Sequence, residues 1–386
     1  MAGALSRRGC IKIRGPQLRE LLDSKCNILF DCDGVIWEGE KAIPGAIEVV
    51  SLLKNQGKNV FFVTNNCTRP RDSYMQKFTR LGFTDVQKRD IFSSAYCSAV
   101  YLRDFANLQG KVFVIGGDGV YKELREAGVP FVESEPETPG MTISDCPLHS
   151  DVKAVLVAYD EDFNFLKLAK ACCYLRDSEC LFIASDPDPW HPVRGGRVTP
   201  GSGSLTAALE TATNRKATVM GKPSRFMFEC ITSQCGADAA QSLMVGDRLE
   251  TDILFGANCG LSTVLTLTGV STIEEAQANL ESDSPAKQNA VPDYVVDSID
   301  VFLFIILHFK AAGSHLVDET GNVKGSINSK YPAPMEKPNI EDRSSEYVVQ
   351  FFNDVDGHKS QRKNKQRTKR AASVEYWFIN SVDQYD

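Results

Sequence analysis

Asn27-Ile28-Leu29-Phe30-Asp31-Cys32-Asp33-Gly34 is the stretch of sequence that decides the fold class. Its first half is a short apolar run typical of a buried strand, and two aspartates follow where that strand would end. After it, residues 44–56 carry apolar side chains at helical spacing, and Gly57 stands where helices commonly end. A buried strand followed by an amphipathic helix indicates the repeating unit of a parallel sheet.

The same alternation of apolar runs and helical periods continues to about residue 270. Further strands are predicted at residues 60–63, 111–115, 154–158, 181–184, 217–220, 242–245 and 262–267. Segments with helical periodicity separate most of them, as expected for α/β units. The sequence therefore predicts an α/β protein built on a mostly parallel sheet.

Composition narrows the class of protein. The chain has 386 residues, 42% of them hydrophobic and 24% charged, which is typical of a soluble globular chain. The net charge of −7 offers no basic surface for nucleic acid. The longest apolar run, residues 301–307, is shorter than the roughly 18 residues that span a bilayer. The twelve cysteines are scattered and form no CxxC pair, so we expect reduced thiols and a cytoplasmic location.

Polar residues follow four of the predicted strands. The first strand is followed by Asp31 and Asp33, and the second by Thr64, Asn65 and Asn66. Lys222 follows the strand at 217–220, and Asp247 and Asp252 follow the strand at 242–245. Ligands of parallel sheets bind outside the carboxyl ends of the strands. We therefore expect these side chains to share one site.

The residue types suit phosphoryl transfer that depends on Mg²⁺. Magnesium prefers oxygen ligands, which the carboxylates of Asp31 and Asp247 and the backbone carbonyl of Asp33 can supply. Asp31 can attack phosphorus and form an aspartyl-phosphate, while Asp33 serves as acid and then base. Lys222 offsets the negative charge of the nucleophile and the phosphate. Asp252 is expected to orient Lys222 or a water molecule without contacting the metal.

Each motif also has a purely structural interpretation. The Asp-Gly pair can be a tight turn, the Thr-Asn-Asn segment a helix cap, and Asp247 and Asp252 solvated acids at a helix start. The four motifs together argue against these structural interpretations, because each of four strand ends, in this order, carries a residue type that the same reaction needs. Thr64, Asn65 and Asn66 are then expected to donate to the phosphoryl oxygens.

The four segments FDCDGVIW, FVTNN, GKPS and MVGDRLETD resemble the signature motifs of the haloacid dehalogenase-like phosphatases. The resemblance covers about residues 18–300. It implies a Rossmann-like core at 18–106 and 215–310, dependence on Mg²⁺, and Asp31 as nucleophile with Asp33 as acid/base. It also implies an inserted α/β cap domain at 107–214, and a homodimer that forms through this cap.

Three segments of the expected cap resemble the branch of this family that acts on pyridoxal 5′-phosphate: AYDE at 158–161, SDPDPWHP at 185–192 and TPGSGS at 199–204. This resemblance implies that His191 and Tyr159 contact the pyridine ring. From the residues alone, a structural histidine in a proline-bounded loop is the better explanation of His191.

Other functions stay open on the same motifs. The same core also suits 2-phosphoglycolate or a phosphoserine protein as substrate. A phospho-accepting signalling module is a protein of a different class. Such a module needs a long-lived phosphoaspartate, and an acid/base at Asp33 would shorten its lifetime. Residues 314–386 are polar and include a basic run at 359–370, so we expect a disordered tail.

Overall fold

The structure is a computed structural model that describes residues 9–133, 142–193 and 196–308. The expected tail at 314–386, with its basic run, lies outside the described residues. In the described ranges, no helix is both long and apolar enough to cross a membrane.

The described residues form fifteen strands. In chain order they are β1 (Ile11–Lys12), β2 (Asn27–Phe30), β3 (Trp37–Glu38), β4 (Lys41–Ala42), β5 (Asn59–Thr64), β6 (Ile91–Ser93), β7 (Lys111–Ile115), β8 (Val152–Val157), β9 (Leu181–Ala184), β10 (Trp190–Val193), β11 (Arg197–Pro200), β12 (Thr218–Val219), β13 (Ser242–Gly246), β14 (Ser262–Thr266) and β15 (Tyr294–Val296).

Twelve α-helices connect these strands in the same part of the chain. They are α1 (Gly15–Asp23), α2 (Ala46–Asn55), α3 (Arg71–Leu81), α4 (Ser94–Val100), α5 (Asp118–Ala127), α6 (Phe165–Leu175), α7 (Ser202–Thr213), α8 (Phe226–Cys235), α9 (Leu254–Cys259), α10 (Ile273–Glu281), α11 (Pro285–Asn289) and α12 (Asp300–His308). A π-helical turn at Leu249–Ile253 leads into α9.

The main sheet has seven parallel strands in the order β1-β15-β14-β13-β2-β5-β6. Its central strands β2 and β13 are buried along their whole length because helices cover both faces. Phe30 and Val245 face one apolar cluster, while their neighbours Leu29 and Met244 face the other. The predicted α/β class with a parallel-sheet core is confirmed.

A second parallel sheet has the order β12-β9-β8-β7. Two antiparallel hairpins, β3–β4 and β10–β11, stand apart from both sheets. One apolar cluster runs from Leu29 and Phe61 of the main sheet to Val114 and Leu156 of the second sheet. Sheet membership alone does not fix domain limits, so the cap boundaries at 107–214 stay a prediction.

The strand expected before Lys222 lies in the second sheet. There β12 pairs with β9, with Thr218 opposite Ile183. The sequence argument placed four strand ends at the edge of one sheet, and for the strand before Lys222 this prediction was wrong. The sequence of a short buried strand does not indicate which of two parallel sheets the strand joins. Lys222 therefore enters the site from the second sheet, opposite the carboxylates of the main sheet.

The apolar run near residue 301 is part of the core. It forms α12, which packs on α1 and α2, and Phe302, Ile305 and Ile306 are almost fully buried. The run therefore closes one face of the main sheet.

Candidate active site

One cavity of about 1150 Å³ opens where β2, β5 and β13 end. All ten side chains singled out in the sequence line this cavity: Asp31, Asp33, Thr64, Asn65, Asn66, Tyr159, His191, Lys222, Asp247 and Asp252. The structure thus brings together every predicted site residue, including the two from the expected cap.

Asp31 is held at the floor of the cavity by the main sheet. Its backbone N–H donates to the carbonyl of Val245 on the neighbouring strand, at 2.9 Å. The chain then turns sharply at Gly34, whose φ is +88°. A Cβ on Gly34 would lie 2.6 Å from Oδ2 of Asp247, so a side chain there has no room. The turn brings the first and fourth motifs into contact.

Lys222 is the buried cation of the site. Its Nζ lies 2.5 Å from Oδ1 of Asp31 and 2.7 Å from Oδ1 of Asp252, and it donates to the carbonyl of Val63 at 2.9 Å. Its side chain is 2% exposed. Burial alone would lower the pKa of Lys222, but Asp252 and Asp31 outweigh it and raise that pKa above its ordinary value. Lys222 is therefore charged.

Three buried carboxylates lie close together at this place, and two of them, Asp31 and Asp252, contact the ammonium. Oxygens of Asp31, Asp247 and Asp252 all lie within 4.8 Å of one another. Burial raises the pKa of Asp31, although Lys222 opposes this shift, and burial raises the pKa of Asp247 to about 7. One ammonium leaves an excess of negative charge when all three are ionised. Oxygen donors with excess negative charge fit a hard divalent cation such as Mg²⁺.

Backbone N–H groups orient two of these carboxylates. Oδ2 of Asp252 accepts from the backbone N–H groups of Asp247 and Arg248, at 3.1 and 3.0 Å. Oδ2 of Asp247 accepts from the backbone N–H of Val270 at 2.8 Å. Asp252 thus sits beside Lys222 and behind Asp247, where the sequence argument expects an orienting group.

Asp33 lies at the open side of the cavity and is exposed. Its Oδ1 accepts from Nε1 of Trp37 at 2.8 Å. Trp37 itself is fully buried and carries the ammonium of Lys77 4.0 Å from its ring centroid. A fixed indole therefore aims the Asp33 carboxylate, and this carboxylate remains accessible to a reacting group.

The Thr64-Asn65-Asn66 segment was expected to donate to a phosphoryl group, but several of its polar groups are bonded to the protein itself. Both polar ends of the Asn65 side chain are bonded to the backbone of Lys222. The backbone N–H of Asn66 donates to Oγ1 of Thr64 at 3.1 Å, and Oδ1 of Asn66 accepts from Thr68. The side chain of Asn65 therefore positions Lys222, and donation to phosphate stays a prediction for this segment.

Tyr159 and His191 line the cavity from the segments that follow β8 and β9, which are here called the opposite wall. Their ring centroids lie 5.7 Å apart at an interplanar angle of 75°. The Tyr159 hydroxyl donates to Oε1 of Glu161 at 3.1 Å and lies 3.4 Å from Oγ1 of Thr199. Burial lowers the pKa of His191, with Asp188 opposing the shift. A neutral imidazole and a phenol thus line the same cavity as the buried carboxylates.

Among the lining residues to which the sequence argument gave no role are Asp188, Trp190 and Arg248. All three stand inside quoted motifs, but no role was assigned to them. Nη1 of Arg248 lies 3.4 Å from Oδ1 of Asp188, and its guanidinium lies 5.3 Å from the Trp190 ring centroid. A contact between residues sixty positions apart leaves no local pattern in a single sequence.

Two family models match the chain. Residues 28–130 match the model described as haloacid dehalogenase-like hydrolase, and residues 219–301 match a HAD-hydrolase-like model. Among solved structures, a 4-nitrophenylphosphatase from Thermotoga maritima aligns with a TM-score of 0.62 and 27% identity, over 74% of this chain and 99% of that one. A p-nitrophenyl phosphatase from Archaeoglobus fulgidus gives 0.61 and 30%, over 73% and 98%.

Curated relatives match over most of their own length. Chronophin from Bos taurus is 50% identical over 294 residues, which are 75% of this chain and 96% of that protein. Glycerol-3-phosphate phosphatase from Gallus gallus is 45% identical over 301 residues, 77% of this chain and 96% of that protein. The chain belongs to the haloacid dehalogenase-like hydrolase family and is a phosphatase.

Proposed function

We propose that this phosphatase hydrolyses pyridoxal 5′-phosphate with Mg²⁺ through an aspartyl-phosphate on Asp31. One observation carries the proposal: the Asp31–Lys222 pair and the Tyr159–His191 pair face the same cavity. The first pair suits the phosphoryl group that all phosphate esters share. The second suits the aromatic alcohol that distinguishes this ester.

Asp31 is the nucleophile of the proposed reaction. One carboxylate oxygen attacks phosphorus as the bond from phosphorus to the ester oxygen breaks, and Asp33 gives its proton to the departing alcohol. Asp33, now a carboxylate, takes a proton from water, which attacks phosphorus and releases phosphate from Asp31. The indole of Trp37 keeps the Asp33 carboxylate aimed during both steps.

Asp31, Asp247 and the backbone carbonyl of Asp33 would hold Mg²⁺. The bound ion supplies positive charge against the phosphoryl oxygens. Lys222 adds a second positive charge beside Asp31, and Thr64, Asn65 and Asn66 border the space where the phosphoryl oxygens would lie. Asp252 keeps Lys222 in place by direct contact.

The substrate's ring is proposed to lie against Tyr159 and His191. A neutral imidazole can accept from or donate to polar groups of a pyridine ring, and the phenol ring offers an apolar face. The lowered pKa of His191 supports this arrangement, because imidazole rather than imidazolium predominates near neutral pH. Asp188, Trp190 and Arg248 line the same cavity as this pair.

Glycerol 3-phosphate is the second candidate substrate. Relatives with that name in their description are 42–45% identical to this chain, only slightly below the chronophins. The core residues do not discriminate between the two esters, since both present the same phosphoryl group. Substrate choice therefore falls to the opposite wall of the cavity.

A phosphate-release screen tests the proposal. Purified protein is assayed with pyridoxal 5′-phosphate, glycerol 3-phosphate, 2-phosphoglycolate and a phosphoserine peptide, each with Mg²⁺ and with EDTA. The proposal expects the highest kcat/KM for pyridoxal 5′-phosphate and no turnover in EDTA. A higher kcat/KM for any other ester would contradict pyridoxal 5′-phosphate as the substrate. Full activity in EDTA would contradict the role of Mg²⁺ in the mechanism.

We further propose a cytoplasmic homodimer that forms through the cap. Trp190, Val193 and Val198 on hairpin β10–β11 are exposed, at 41%, 43% and 66%. The twelve cysteines are free thiols, in keeping with a reducing compartment. Light scattering of the wild type and of Val198→Glu tests the dimer: a mass near 43 kDa for the wild type would contradict it.

A further inference from the structure

Arg248 connects the two walls of the cavity. Its backbone belongs to the carboxylate wall, because its N–H donates to Oδ2 of Asp252 at 3.0 Å. Its side chain crosses to the opposite wall, where Nη1 lies 3.4 Å from Oδ1 of Asp188. The guanidinium also lies 5.3 Å from the ring centroid of Trp190. The side chains of Arg248 and Asp188 are only 14% and 8% exposed.

Hydrogen bonds to Asp186 and to the start of α7 fix the loop that carries Asp188. Oδ1 of Asp186 accepts from the backbone N–H of Asp188 at 3.2 Å, and the carbonyl of Asp188 accepts from the backbone N–H of Gly203 at 2.9 Å. A Cβ on Gly201 would lie 2.2 Å from that carbonyl, so the loop is pressed against the start of α7. Asp188 therefore has a set position, and His191 follows three residues later.

Arg248 links the segment that carries Asp252 to the loop that carries His191. On one side it is bonded to Asp252, which contacts Lys222. On the other it contacts Asp188 and Trp190, which precede His191. A planar guanidinium suits this place, because it pairs with a carboxylate edge-on and stacks on an aromatic ring with its face.

We propose that Arg248 is a positioning residue that sets the distance between His191 and the reacting phosphoryl group. This proposal rests on the proposed function, since it gives His191 a substrate to contact. Arg248 touches no reacting atom in this account. It acts through Asp188 and Trp190, so its loss displaces the wall that discriminates between substrates.

The Arg248–Asp188 ion pair is shielded from solvent, so we expect its loss to affect the position of the loop. Removing one partner of a largely buried ion pair leaves the other charge without its ionic partner, so each single variant displaces the loop. Once one partner is gone, the second substitution removes little more. The two substitutions are therefore expected to be coupled, whereas unrelated substitutions multiply their effects.

A double-mutant cycle tests this coupling. Arg248→Met, Asp188→Asn and the double variant are assayed with pyridoxal 5′-phosphate and with p-nitrophenyl phosphate. Each single variant is expected to lose about tenfold in kcat/KM on pyridoxal 5′-phosphate, mainly through KM, and the double variant also about tenfold rather than a hundredfold. Losses on p-nitrophenyl phosphate are expected to be several times smaller, because that ester depends less on His191.

Arg103→Met and Asp104→Asn form the matched control. These residues are an exposed Arg–Asp pair outside the cavity lining, with side chains 46% exposed. Arg248→Lys keeps the charge without the planar fork and is expected to recover part of the loss. It also serves the cycle if Arg248→Met fails to fold, as judged by thermal unfolding.

Multiplicative losses in the double variant would overturn the proposal, and so would equal losses on both esters. If the wild type prefers glycerol 3-phosphate, the proposed function fails separately. The cycle is then run on that ester, where coupling supports the positioning role and multiplicative losses overturn it.

Discussion

Asn65 holds the backbone of Lys222 from both sides. Its Nδ2 donates to the carbonyl of Lys222 at 2.9 Å, and its Oδ1 accepts from the backbone N–H of Lys222 at 2.8 Å. The residues are 157 positions apart in the chain. One amide side chain thus fixes where the buried ammonium meets Asp31, and it joins the second motif to the third.

Asn65→Ala is expected to reduce kcat about 10- to 100-fold, because Lys222 loses two bonds that set its position beside Asp31. KM should change less than kcat. Steady-state kinetics on pyridoxal 5′-phosphate measure both values. Asn258→Ala is the control, since Asn258 makes a comparable bond to the carbonyl of Pro223 but does not line the cavity. Equal losses in the two variants would contradict the role of Asn65.

Gly269→Ala is expected to impair the metal site. A Cβ there would lie 1.8 Å from Oδ2 of Asp247, so the carboxylate must move. We expect the Mg²⁺ concentration for half-maximal activity to rise about tenfold or more. Gly117→Ala is the control, because its added Cβ meets nothing closer than 3.8 Å. An unchanged Mg²⁺ requirement in Gly269→Ala would remove Asp247 from the ligand set.

Asp186 is expected to make stability depend on pH. Burial, with Asp188 nearby, raises the pKa of Asp186 from 3.8 to about 7 in the folded protein. The folded state thus binds the proton more tightly than the unfolded state, so this group's contribution to stability is full below pH 3.8 and is lost as the pH rises to about 7. Asp186→Asn resembles the protonated form and should lack this loss.

Urea unfolding at several pH values measures this effect. The difference in unfolding free energy between Asp186→Asn and the wild type should shift in favour of the variant from pH 4 to pH 7, and then stay constant. A difference that does not change with pH would show that Asp186 is ionised throughout. Cys67 also lies beside Asp186, and its pKa of about 12 keeps it out of this range.

His191→Ala is expected to weaken hydrolysis of pyridoxal 5′-phosphate about 10- to 100-fold in kcat/KM, and that of p-nitrophenyl phosphate much less. The imidazole lines the same cavity as Asp31 and contacts the ring of Tyr159. His149→Ala, in the same part of the chain but outside the cavity lining, is the control. Losses of equal size on the two esters would mean that His191 only supports the loop.

The main sheet was predictable because its central strands are short apolar runs, each followed by a helix. The carboxylate wall was predictable because Asp31 and Asp247 follow two of those strands directly. The pairing of β12 with β9 was not predictable, because strand order in a parallel sheet depends on contacts distant in sequence. Hairpin β10–β11 was missed since prolines at positions 192 and 200 do not indicate a strand.

The contacts made by Asn65 and Arg248 show the same limit. Both residues stand in recognisable motifs, and their residue types suit phosphate binding. The structure instead directs the Asn65 side chain to a backbone, and the Arg248 side chain to Asp188. Which polar partner a side chain takes depends on the packing of distant segments, so the motif predicts the place and not the partner.

The central claim is that Asp31 carries the phosphoryl group. Wild type and Asp31→Asn are mixed with pyridoxal 5′-phosphate labelled with ³²P, quenched in acid within one turnover, digested and mapped. The account predicts label on the peptide containing Asp31 in the wild type, released by hydroxylamine as expected for an acyl phosphate, and neither label nor turnover in a folded Asp31→Asn. Turnover near that of the wild type in Asp31→Asn, or label on another residue, would contradict it.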